Sequence, residues 1–498
     1  MKLLKWLAEL RLFRFQCMYS TWAKNIWRLR GGIAFFVSLL SVIIGVCVWV
    51  AWLLLHFRHE ILQFLTWLCS FEKCASYLSW VGLLGLVLSM VGIFESVKKF
   101  REHFLSSDDM ICFKDRNDKC DIIDRWHNIA GNSGGFTVRE ISNNGQLADF
   151  YSYSKALNKS LTEGLVMRYN KKDFHKTECW KAIHKNLREA LLRLDLKQRS
   201  NGYQCFTNES KVAIVSDSIF NVGSSVGASM GAKPVNVDIA RTCYYATYLT
   251  NEAYRDFVFS AGDMANEVRV SEWMSPFGAM NDEKLLSFSA ARSYHVGVNT
   301  LGITRDGVVC IWRQRRGQRS NNLMAPTGSG SMDWSDVKHA RNKNFNDAII
   351  YGAKRELKEE SFGKNTRDKL VKLAEEGRKL ESRIIGMYRW GSLGGLPGFV
   401  LVTMMPLKYD EIELPMLSGC GGAGECVRDS VRARVNILKV PRKNMRNCGD
   451  EFANEVDDYR KNNSSELSVP LYVCLDFLAE ALRTNQDLVE WIYKRVEN

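Results

Sequence analysis

The sequence lacks the patterns that usually identify catalytic triads and zinc sites. Its eight histidines are scattered through 498 residues, so no Ser-His-Asp or Cys-His pair can be argued from residue order. No histidine lies near Cys420, Cys426 and Cys448, and their spacing matches no common zinc pattern, so a flexible loop is favoured there over a zinc site. The chain has no internal repeat, and its length predicts two to four structural units.

Charge is missing from two long stretches near the beginning of the chain. Residues 33–55 and 77–94 contain no Asp, Glu, Lys or Arg. As helices they would be about 35 Å and about 27 Å long, against a hydrocarbon core of about 30 Å. We therefore expect two transmembrane helices within residues 32–104, and a buried hairpin of a soluble protein is the alternative. The absence of ionisable residues inside them argues against a transporter or a proton path.

Basic residues exceed acidic ones, with 68 Lys and Arg against 55 Asp and Glu and a net charge of +13. This balance favours anionic partners such as lipid headgroups, nucleotides or nucleic acid. Residues 1–31 carry seven basic residues against Glu9, with apolar residues near helical spacing. They predict a basic amphipathic arm on a membrane surface, or a flanking segment that only sets topology. The positive-inside rule places both termini in the cytoplasm.

Small residues recur at a spacing of four in both stretches, as Ser41-x-x-x-Gly45 and Gly85-x-x-x-Ser89. Such spacing lets helices approach closely. It is consistent with a homo-oligomer in the membrane, or with one span packing against the other.

Residues 105–290 are expected to form a soluble α/β region of unclear role. Residues 212–215 predict a buried strand, followed by a loop with Gly223, Gly227 and Gly231. The loop has neither a GxGxxG pattern nor a Gly-Lys-Ser/Thr ending, so a turn-rich connection is favoured over an anion site.

Residues 291–498 alternate strands with one acidic helix. We expect strands at 296–303 and 308–312, joined by the turn Asp306-Gly307, and further strands at 383–389 and 399–405. Helices are expected at 352–363 and from residue 471 onward. Arginines 313, 315, 316 and 319 follow the second strand, and Gly328-Ser329-Gly330 precedes the helix. This order predicts a mixed sheet between helices.

The helix at 352–363 places Glu356, Glu359 and Glu360 on one face, because they are three and four residues apart. Three carboxylates on one face are a candidate site for a hard cation such as Mg²⁺. The alternative is a solvated helix face, since Lys354, Arg355 and Lys358 are interleaved with them.

This part of the chain resembles a NUDIX domain. The family's box is Gly, five residues, Glu, seven residues and then Arg-Glu-U-x-Glu-Glu-x-Gly-U, where U is aliphatic, and residues 355–360 match its second half. Asp347 stands at the upstream Glu, Gly328-Ser329-Gly330 resembles the Pro-Gly-Gly loop with an insertion at 331–345, and the closing glycine falls one place late at Gly363. The resemblance implies that Glu356, Glu359 and Glu360 are metal ligands, with Mg²⁺ as the possible cofactor, and that Arg355 supports them.

Two membrane spans followed by a NUDIX-like domain are similar to the membrane effectors of bacterial CBASS antiphage systems. The resemblance implies a membrane-anchored α+β protein, in which two N-terminal transmembrane helices precede a NUDIX-like α/β/α sandwich and an additional soluble segment. It also implies a multi-pass inner-membrane protein that senses a cyclic oligonucleotide made by a separate synthase and then disrupts the membrane, causing abortive infection.

For the ligand of such an effector we expect a site at Arg313, Arg315, Arg316, Gly328 and Gly330, because guanidinium groups suit phosphodiester oxygens. The arginines could instead be a solvated strand end. The displaced glycines imply sensing rather than catalysis. The alternative function is a membrane-anchored, Mg²⁺-dependent hydrolase of nucleoside diphosphate derivatives, and a third is a membrane scaffold.

Overall fold

A computed structural model gives the fold of part of the chain. It describes residues 111–114, 123–130 in part, 135–143, 146–172, 210–221, 234–251, 257–260, 263–269, 287–288, 292–314, 322–414, 432–434, 438–441 and 448–496. The chain divides into two compact units, of which the smaller comprises Met1–Ile111, Leu192–Lys197 and Ser260–Met264. The larger comprises Cys112–Leu191, Gln198–Phe259 and Ala265–Asn498, and the features analysed below lie in it.

The strands and helices are numbered in chain order. The strands are β1 Ile111–Lys114, β2 Thr137–Asn143, β3 Gln146–Tyr153, β4 Met167–Lys172, β5 Ser210–Ile214, β6 Val235–Cys243, β7 Phe257–Ser260, β8 Asp263–Arg269, β9 Tyr294–His295, β10 Gly297–Ile303, β11 Val308–Cys310, β12 Trp312–Gln314, β13 Met324–Ala325, β14 Gly328–Ser331, β15 Glu381–Trp390, β16 Leu396–Met404, β17 Arg432–Arg434 and β18 Leu438–Lys439. The helices are α1 Lys155–Thr162, α2 Tyr244–Thr250, α3 Phe345–Ser361, α4 Lys364–Glu375, α5 Cys448–Asn462, α6 Val469–Thr484 and α7 Gln486–Tyr493. Short 3₁₀ turns occur at Asp217–Phe220, Asp336–His339, Arg341–Lys343, Gly391–Leu393, Tyr409–Glu411 and Ser464–Glu466.

The main sheet has eight strands in the order β18-β11-β10-β16-β15-β3-β2, and β14 also pairs with β10. Strands β10 and β16 are parallel, with Gly297 opposite Gly398, and the other pairs are antiparallel. Two strands pair with the edge of β10 that lies opposite β16. Its first half pairs with β14 and its second half with β11, so the sheet has a break in its edge beside β10.

The sheet curls into a half-barrel rather than remaining open and flat. Register shifts interrupt β15 between Ile384 and Gly386 and β2 between Ile141 and Ser142. A bulge of this kind bends its strand and increases the local twist. These irregularities give a physical reason for the curl.

The core lies on both faces of β16, whose nine residues are all buried. Phe399 and Leu401 belong to a cluster with Phe345 of α3. Val400 and Val402 belong to another cluster, with Phe477 of α6. Successive side chains of a strand point to opposite faces, so β16 packs against α3 on one face and against α6 on the other.

Helix α6 begins where the local sequence favours it. The hydroxyl of Ser468 accepts a hydrogen bond from the Leu471 backbone N–H at 3.4 Å, and Pro470 lies in the first turn. Both are typical of helix N-termini, where free N–H groups need acceptors and proline loses no bond. The start of α6 is thereby fixed next to the main sheet.

The described residues form three smaller sheets, one of which is β1-β7-β8, and the other two belong wholly to the larger unit. Strands β4-β6-β5-β9 form a four-stranded sheet, and β9 leads directly into β10. Strands β13-β12-β17 form a three-stranded sheet. Residues 146–153 therefore share the main sheet with residues 381–404, and the domain boundary that we predicted at residue 290 falls inside the larger unit.

Several local predictions agree with the described elements. The strand expected at 212–215 lies at β5, the pair at 296–303 and 308–312 lies at β10 to β12, and the strands at 383–389 and 399–405 lie at β15 and β16. Gly307 has φ +78°, as the Asp306-Gly307 turn requires. The predicted glycine-rich loop at 223–231 lies outside the described residues.

The fold class predicted from the sequence is wrong. In place of an α/β/α sandwich behind two transmembrane helices, the described chain is a mixed α/β protein with a curled half-barrel sheet. The prediction failed because it missed β2 and β3, which extend the sheet beyond β15, and the bulges that curl it. Within the described residues no helix combines the length and apolar character needed to cross a membrane. The spans expected at 33–55 and 77–94, and the arm at 1–31, lie outside the described residues.

Asp476 of α6 connects this helix to the β2–β3 edge of the sheet. The residue is 4% exposed, and its carboxylate accepts a hydrogen bond from the Tyr151 hydroxyl at 2.6 Å. It also forms ion pairs with Arg139 of β2 and Arg460 of α5. A buried carboxylate with three partners stabilises the arrangement only while all of them remain paired.

We expect Asp476→Asn to lower the free energy of unfolding by about 1–3 kcal/mol, because it removes the buried charge that Arg139 and Arg460 share, although Glu480 and Asp457 remain as their partners. The measurement is urea unfolding of the full chain, followed by tryptophan fluorescence. The control is Asp458→Asn, at an exposed position of α5. Equal unfolding midpoints for the two variants would contradict the prediction.

Candidate functional site

The acidic helix α3 is longer than the sequence predicted and ends earlier. It begins at Phe345, where the Asn344 side chain accepts a hydrogen bond from the Asn346 backbone N–H at 3.0 Å. Such a cap satisfies an N–H group that lacks a partner within the helix. The helix ends at Ser361, and Gly363 is the N-cap of α4 rather than part of α3. Asp347 lies in the first turn, where its carboxylate accepts from the Arg341 backbone N–H at 3.4 Å.

Strand β14 packs directly on α3 because two of its residues are glycines. A Cβ on Gly328 would lie 2.7 Å from the Cα and the backbone nitrogen of Leu357, and one on Gly330 would overlap the carboxylate of Glu356. Gly328 and Gly330 were predicted to belong to a ligand-binding loop. They form a strand paired with β10 and lie at the close contact with the helix. Gly330 also lines the cleft described below.

Arg355 holds α3 to the segment that follows β14. Its guanidinium donates to both carboxylate oxygens of Asp336 at 3.1 Å and to the backbone oxygen of Ser331 at 3.1 Å. It also donates to Glu356 and Glu359 at 3.0 Å each. Burial lowers the pKa of Arg355, but its bonds to Asp336 and the surrounding carboxylates outweigh this and raise it above its ordinary value. The guanidinium of Arg355 therefore remains charged and is held in one orientation.

Glu356 is the buried carboxylate of the helix, with 8% of the residue exposed. Burial raises its pKa to about 7, although Arg355 acts in the opposite direction. Glu360 lies nearby and raises the pKa further. A carboxyl group that titrates near neutral pH is typical of functional sites, although buried ion networks also produce it.

The three glutamates do not have a common environment. The side chain of Glu359 is 56% exposed and pairs with Arg355, as Glu356 does. Glu360 accepts a hydrogen bond from the Ser329 backbone N–H at 2.8 Å. Within the described part of the chain, no group of three or more His, Cys, Asp or Glu side chains is arranged to hold a metal ion. The role of the three glutamates in metal binding stays a prediction.

A cleft of about 270 Å³ opens where β14 and β16 flank the first half of β10. Its walls are formed by the backbone of several glycines together with aromatic and polar side chains. The lining residues that matter here are Asn299, Gln314, Ser329, Ser331, Glu360, Tyr388 and Trp390. Of the three glutamates, only Glu360 is among the lining residues.

The polar groups along β10 and β14 form a connected chain. The Asn299 amide donates to the Tyr388 hydroxyl at 3.3 Å and accepts from the Ser329 hydroxyl at 3.1 Å. Burial raises the pKa of Tyr388 well above its ordinary value, so its hydroxyl remains protonated. A Cβ on Gly398 would lie 2.6 Å from the Tyr388 ring, so this glycine makes room for the tyrosine beside the cleft.

The arginines expected to bind phosphate have other surroundings. Arg313 donates to the backbone oxygen of Asn322 at 2.8 Å and pairs with Glu466, and it does not line the cleft. Arg315 and Arg316 lie outside the described residues. The residue of β12 that does line the cleft is Gln314, which the sequence analysis missed. No sequence signal distinguishes this glutamine from the neighbouring arginines, because its placement depends on the pairing of β12.

Comparisons with known proteins add nothing to the resemblance to a NUDIX domain. No protein-family model matches the chain, and no curated protein matches it. The similarity to the NUDIX box therefore rests on the residues of α3 and its surroundings.

The contact between β14 and α3 can be tested by adding single methyl groups. We expect Gly330→Ala to lower the free energy of unfolding by about 1–3 kcal/mol, as overpacking does. Glu356→Ala should relieve this loss in the double variant, since the methyl group meets the Glu356 carboxylate.

Gly328→Ala is the matched control for this cycle. Its methyl group meets the backbone of Leu357, so Glu356→Ala should give it no relief. The measurement is urea unfolding of the wild type, the three single variants and the two double variants. Equal coupling of both alanines to Glu356→Ala would contradict the packing described here.

The raised pKa of Glu356 predicts a dependence of stability on pH. Between about pH 4.5 and pH 7 the folded chain holds a proton that the unfolded chain has released, so the contribution of Glu356 to stability falls as the pH rises. Relative to Glu356→Gln, we expect the wild type to lose about 3 kcal/mol across this window.

The measurement is urea unfolding of both proteins at several pH values between 4 and 8. Glu375→Gln, at an exposed position of α4, controls for the removal of one carboxylate. A constant difference between the wild type and Glu356→Gln would show that burial does not govern the titration of Glu356.

Proposed function

We propose that this chain is an effector that senses a cyclic nucleotide second messenger and disrupts the bacterial inner membrane, as CBASS effectors do in abortive infection. The observation that carries the sensing part is the cleft beside β10, where amide and hydroxyl groups lie among aromatic rings. Ligand sites in proteins commonly combine such apolar walls with a few placed polar groups.

The size of the cleft agrees with part of such a ligand. Its volume of about 270 Å³ is close to the lower end of the range of about 300–1,000 Å³ for small-molecule sites. In this proposal the cleft takes one nucleotide, and the rest of a cyclic oligonucleotide lies outside it. Trp390 lines the cleft and is partly exposed, so in this proposal its ring stacks on a base.

The surroundings of the glutamates favour sensing over hydrolysis. Metal-assisted hydrolysis needs an ion held where the substrate lies, but Glu356 and Glu359 are paired with Arg355 and do not line the cleft. Only Glu360 lines it, and one of its oxygens accepts from Ser329. An Mg²⁺-dependent hydrolase of nucleoside diphosphate derivatives is therefore the second candidate, favoured only by the near-neutral pKa of Glu356.

The membrane part of the proposal rests on the sequence. The charge-free stretches 33–55 and 77–94 and the basic arm at 1–31 support a chain at the inner membrane with both termini in the cytoplasm. In this proposal a separate synthase supplies the signal, and ligand binding promotes a homo-oligomer that damages the lipid bilayer.

We expect the purified full chain to bind at least one cyclic di- or trinucleotide in a calorimetric screen. Ser331→Phe should weaken binding about tenfold or more, because Ser331 lines the cleft and a phenyl group would occupy it. Ser335→Phe is the matched control, at an exposed position outside the cleft. No binding of any ligand in the screen, or equal affinities of the two variants, would refute the sensing function.

The same purified protein also tests the second candidate function, the Mg²⁺-dependent hydrolase. A hydrolase would cleave nucleoside diphosphate derivatives with Mg²⁺, and Glu359→Gln would abolish the cleavage. If neither the wild type nor the variant cleaves, the hydrolase is excluded. In cells that also contain the synthase, the effector should admit a membrane-impermeant dye, and Ser331→Phe should not.

A further inference from the structure

Five cationic side chains are exposed on β4 and on the turns that precede α3. Two of them belong to β4, and three belong to the 3₁₀ turns Asp336–His339 and Arg341–Lys343 or adjoin them in the chain. We call these residues the basic surface: Arg168, Lys171, Lys338, Arg341 and Lys343. None of the five lines the cleft beside β10, so the basic surface is separate from the site described above.

Contacts between β4 and the two turns make the basic surface continuous. Arg168 forms an antiparallel bridge with Asn344, the residue that caps α3 directly after the second turn. The Tyr169 hydroxyl donates to the backbone oxygen of Val337, in the first turn, at 3.4 Å. The strand and both turns therefore lie side by side, although β4 is more than 160 residues away from the turns in the chain.

The positive charge of the basic surface is not neutralised by its neighbours. Within the described residues none of the five cationic side chains forms an ion pair with a carboxylate. The acids nearby have other partners, since Asp336 is bound by Arg355 and Asp333 pairs with Lys211 at 2.7 Å. Asp347 accepts from the Arg341 backbone N–H at 3.4 Å and offsets one positive charge. The basic surface therefore suits an anionic partner.

Aromatic rings lie among these cations. The rings of His339 and Tyr351 stack with their centroids 3.7 Å apart and their planes within 8°, and both residues are exposed. The Lys171 ammonium lies 5.5 Å from the centre of the partly exposed Trp334 ring. Cations interleaved with accessible rings are typical of surfaces that bind single-stranded nucleic acids, because phosphates pair with the cations and bases stack on the rings.

An anionic membrane is the other partner that a basic surface could bind. Peripheral binding to a bilayer also buries apolar side chains among the headgroups. The apolar residues Met167, Val337 and Phe345 of these segments are buried in the protein core. Val166, next to β4, is 46% exposed, but one aliphatic side chain supplies little area. The combination of charge and rings thus favours nucleic acid over lipid.

We infer that the basic surface binds single-stranded nucleic acid, with its cations on the phosphates and Tyr351 stacked on a base. This function goes beyond the proposed sensing of a cyclic nucleotide and does not require the cleft. Phosphate contacts carry no sequence information, so binding should tolerate many sequences. It should also weaken with salt, by a slope of about −0.7 in log K against log[salt] for each phosphate that a single strand has neutralised.

The test measures the fluorescence anisotropy of labelled oligo(dT) and oligo(U) strands of about 20 nucleotides with the purified full chain. The triple variant Lys338→Gln/Arg341→Gln/Lys343→Gln should weaken binding about tenfold or more and reduce the size of the salt slope by about 2. Tyr351→Ala should weaken binding about fivefold or more with an unchanged salt slope, whereas Tyr351→Phe keeps the ring and should retain the affinity.

The control must lose the same charge, because residues 1–31 are also basic and attract any polyanion. Lys364→Gln/Arg367→Gln/Lys372→Gln removes three exposed cations of α4 and should change the affinity less than about threefold. Unfolding midpoints equal to that of the wild type would show that the exposed substitutions leave the fold intact. The triple variant of the basic surface should also bind the cyclic nucleotide found in the screen as the wild type does, since none of its residues lines the cleft.

No binding of either oligonucleotide, or an equal loss of affinity in the two triple variants, would overturn the inference. Dihexanoylphosphatidylglycerol, a water-soluble anionic lipid, tests the membrane alternative. If this lipid binds through the basic surface and the oligonucleotides do not, the surface binds lipid headgroups and the inference is wrong. If the oligonucleotides bind through the basic surface while no cyclic nucleotide binds, the inference stands and the proposed sensing function is wrong.

Discussion

The close contact between β14 and α3 governs the arrangement of the site. Because Gly328 and Gly330 have no side chains, the strand lies against the backbone of Leu357 and the carboxylate of Glu356. The opposite edge of the same strand pairs with β10 and forms a wall of the cleft. The strand that packs on the helix is therefore also the strand that forms a wall of the cleft.

Charged groups also fix the orientation of α3 at its contact with β14. Arg355 bonds to Asp336, to the Ser331 oxygen and to two glutamates of its own helix. Such a buried network adds little net stability, since the cost of removing charges from water offsets their attraction. Its physical effect is geometric, because each donor of the planar guanidinium has one direction. The network thus sets the register of α3 against β14, and the raised pKa of Glu356 is a consequence of the burial that this register imposes.

Local pattern was sufficient to predict the strands β10, β15 and β16, the turn at Gly307 and the acidic helix, because each depends on residues close in sequence. Long-range pairing was not predictable in this way. Strand β3 joins β15 through Ser152 and Arg389, and Arg313 pairs with Glu466 across 153 residues. Neither partner carries a signal of the other. Gln314 was missed for the same reason, since its burial follows from the three-stranded sheet around β12.

The acidic helix illustrates the limit of reasoning from a shared face. Glu356 and Glu360 are four residues apart, so the helix period places them on one side, and the pattern alone suggested one metal site. What each carboxylate does is decided by the strand opposite. Gly330 lies over Glu356 and leaves room for its buried side chain, whereas the Ser329 N–H binds Glu360 at the cleft. Adjacent residues of one strand thus give two like residues of one helix different chemistry: a buried group that titrates near neutral pH and an acceptor at the wall of a binding cleft.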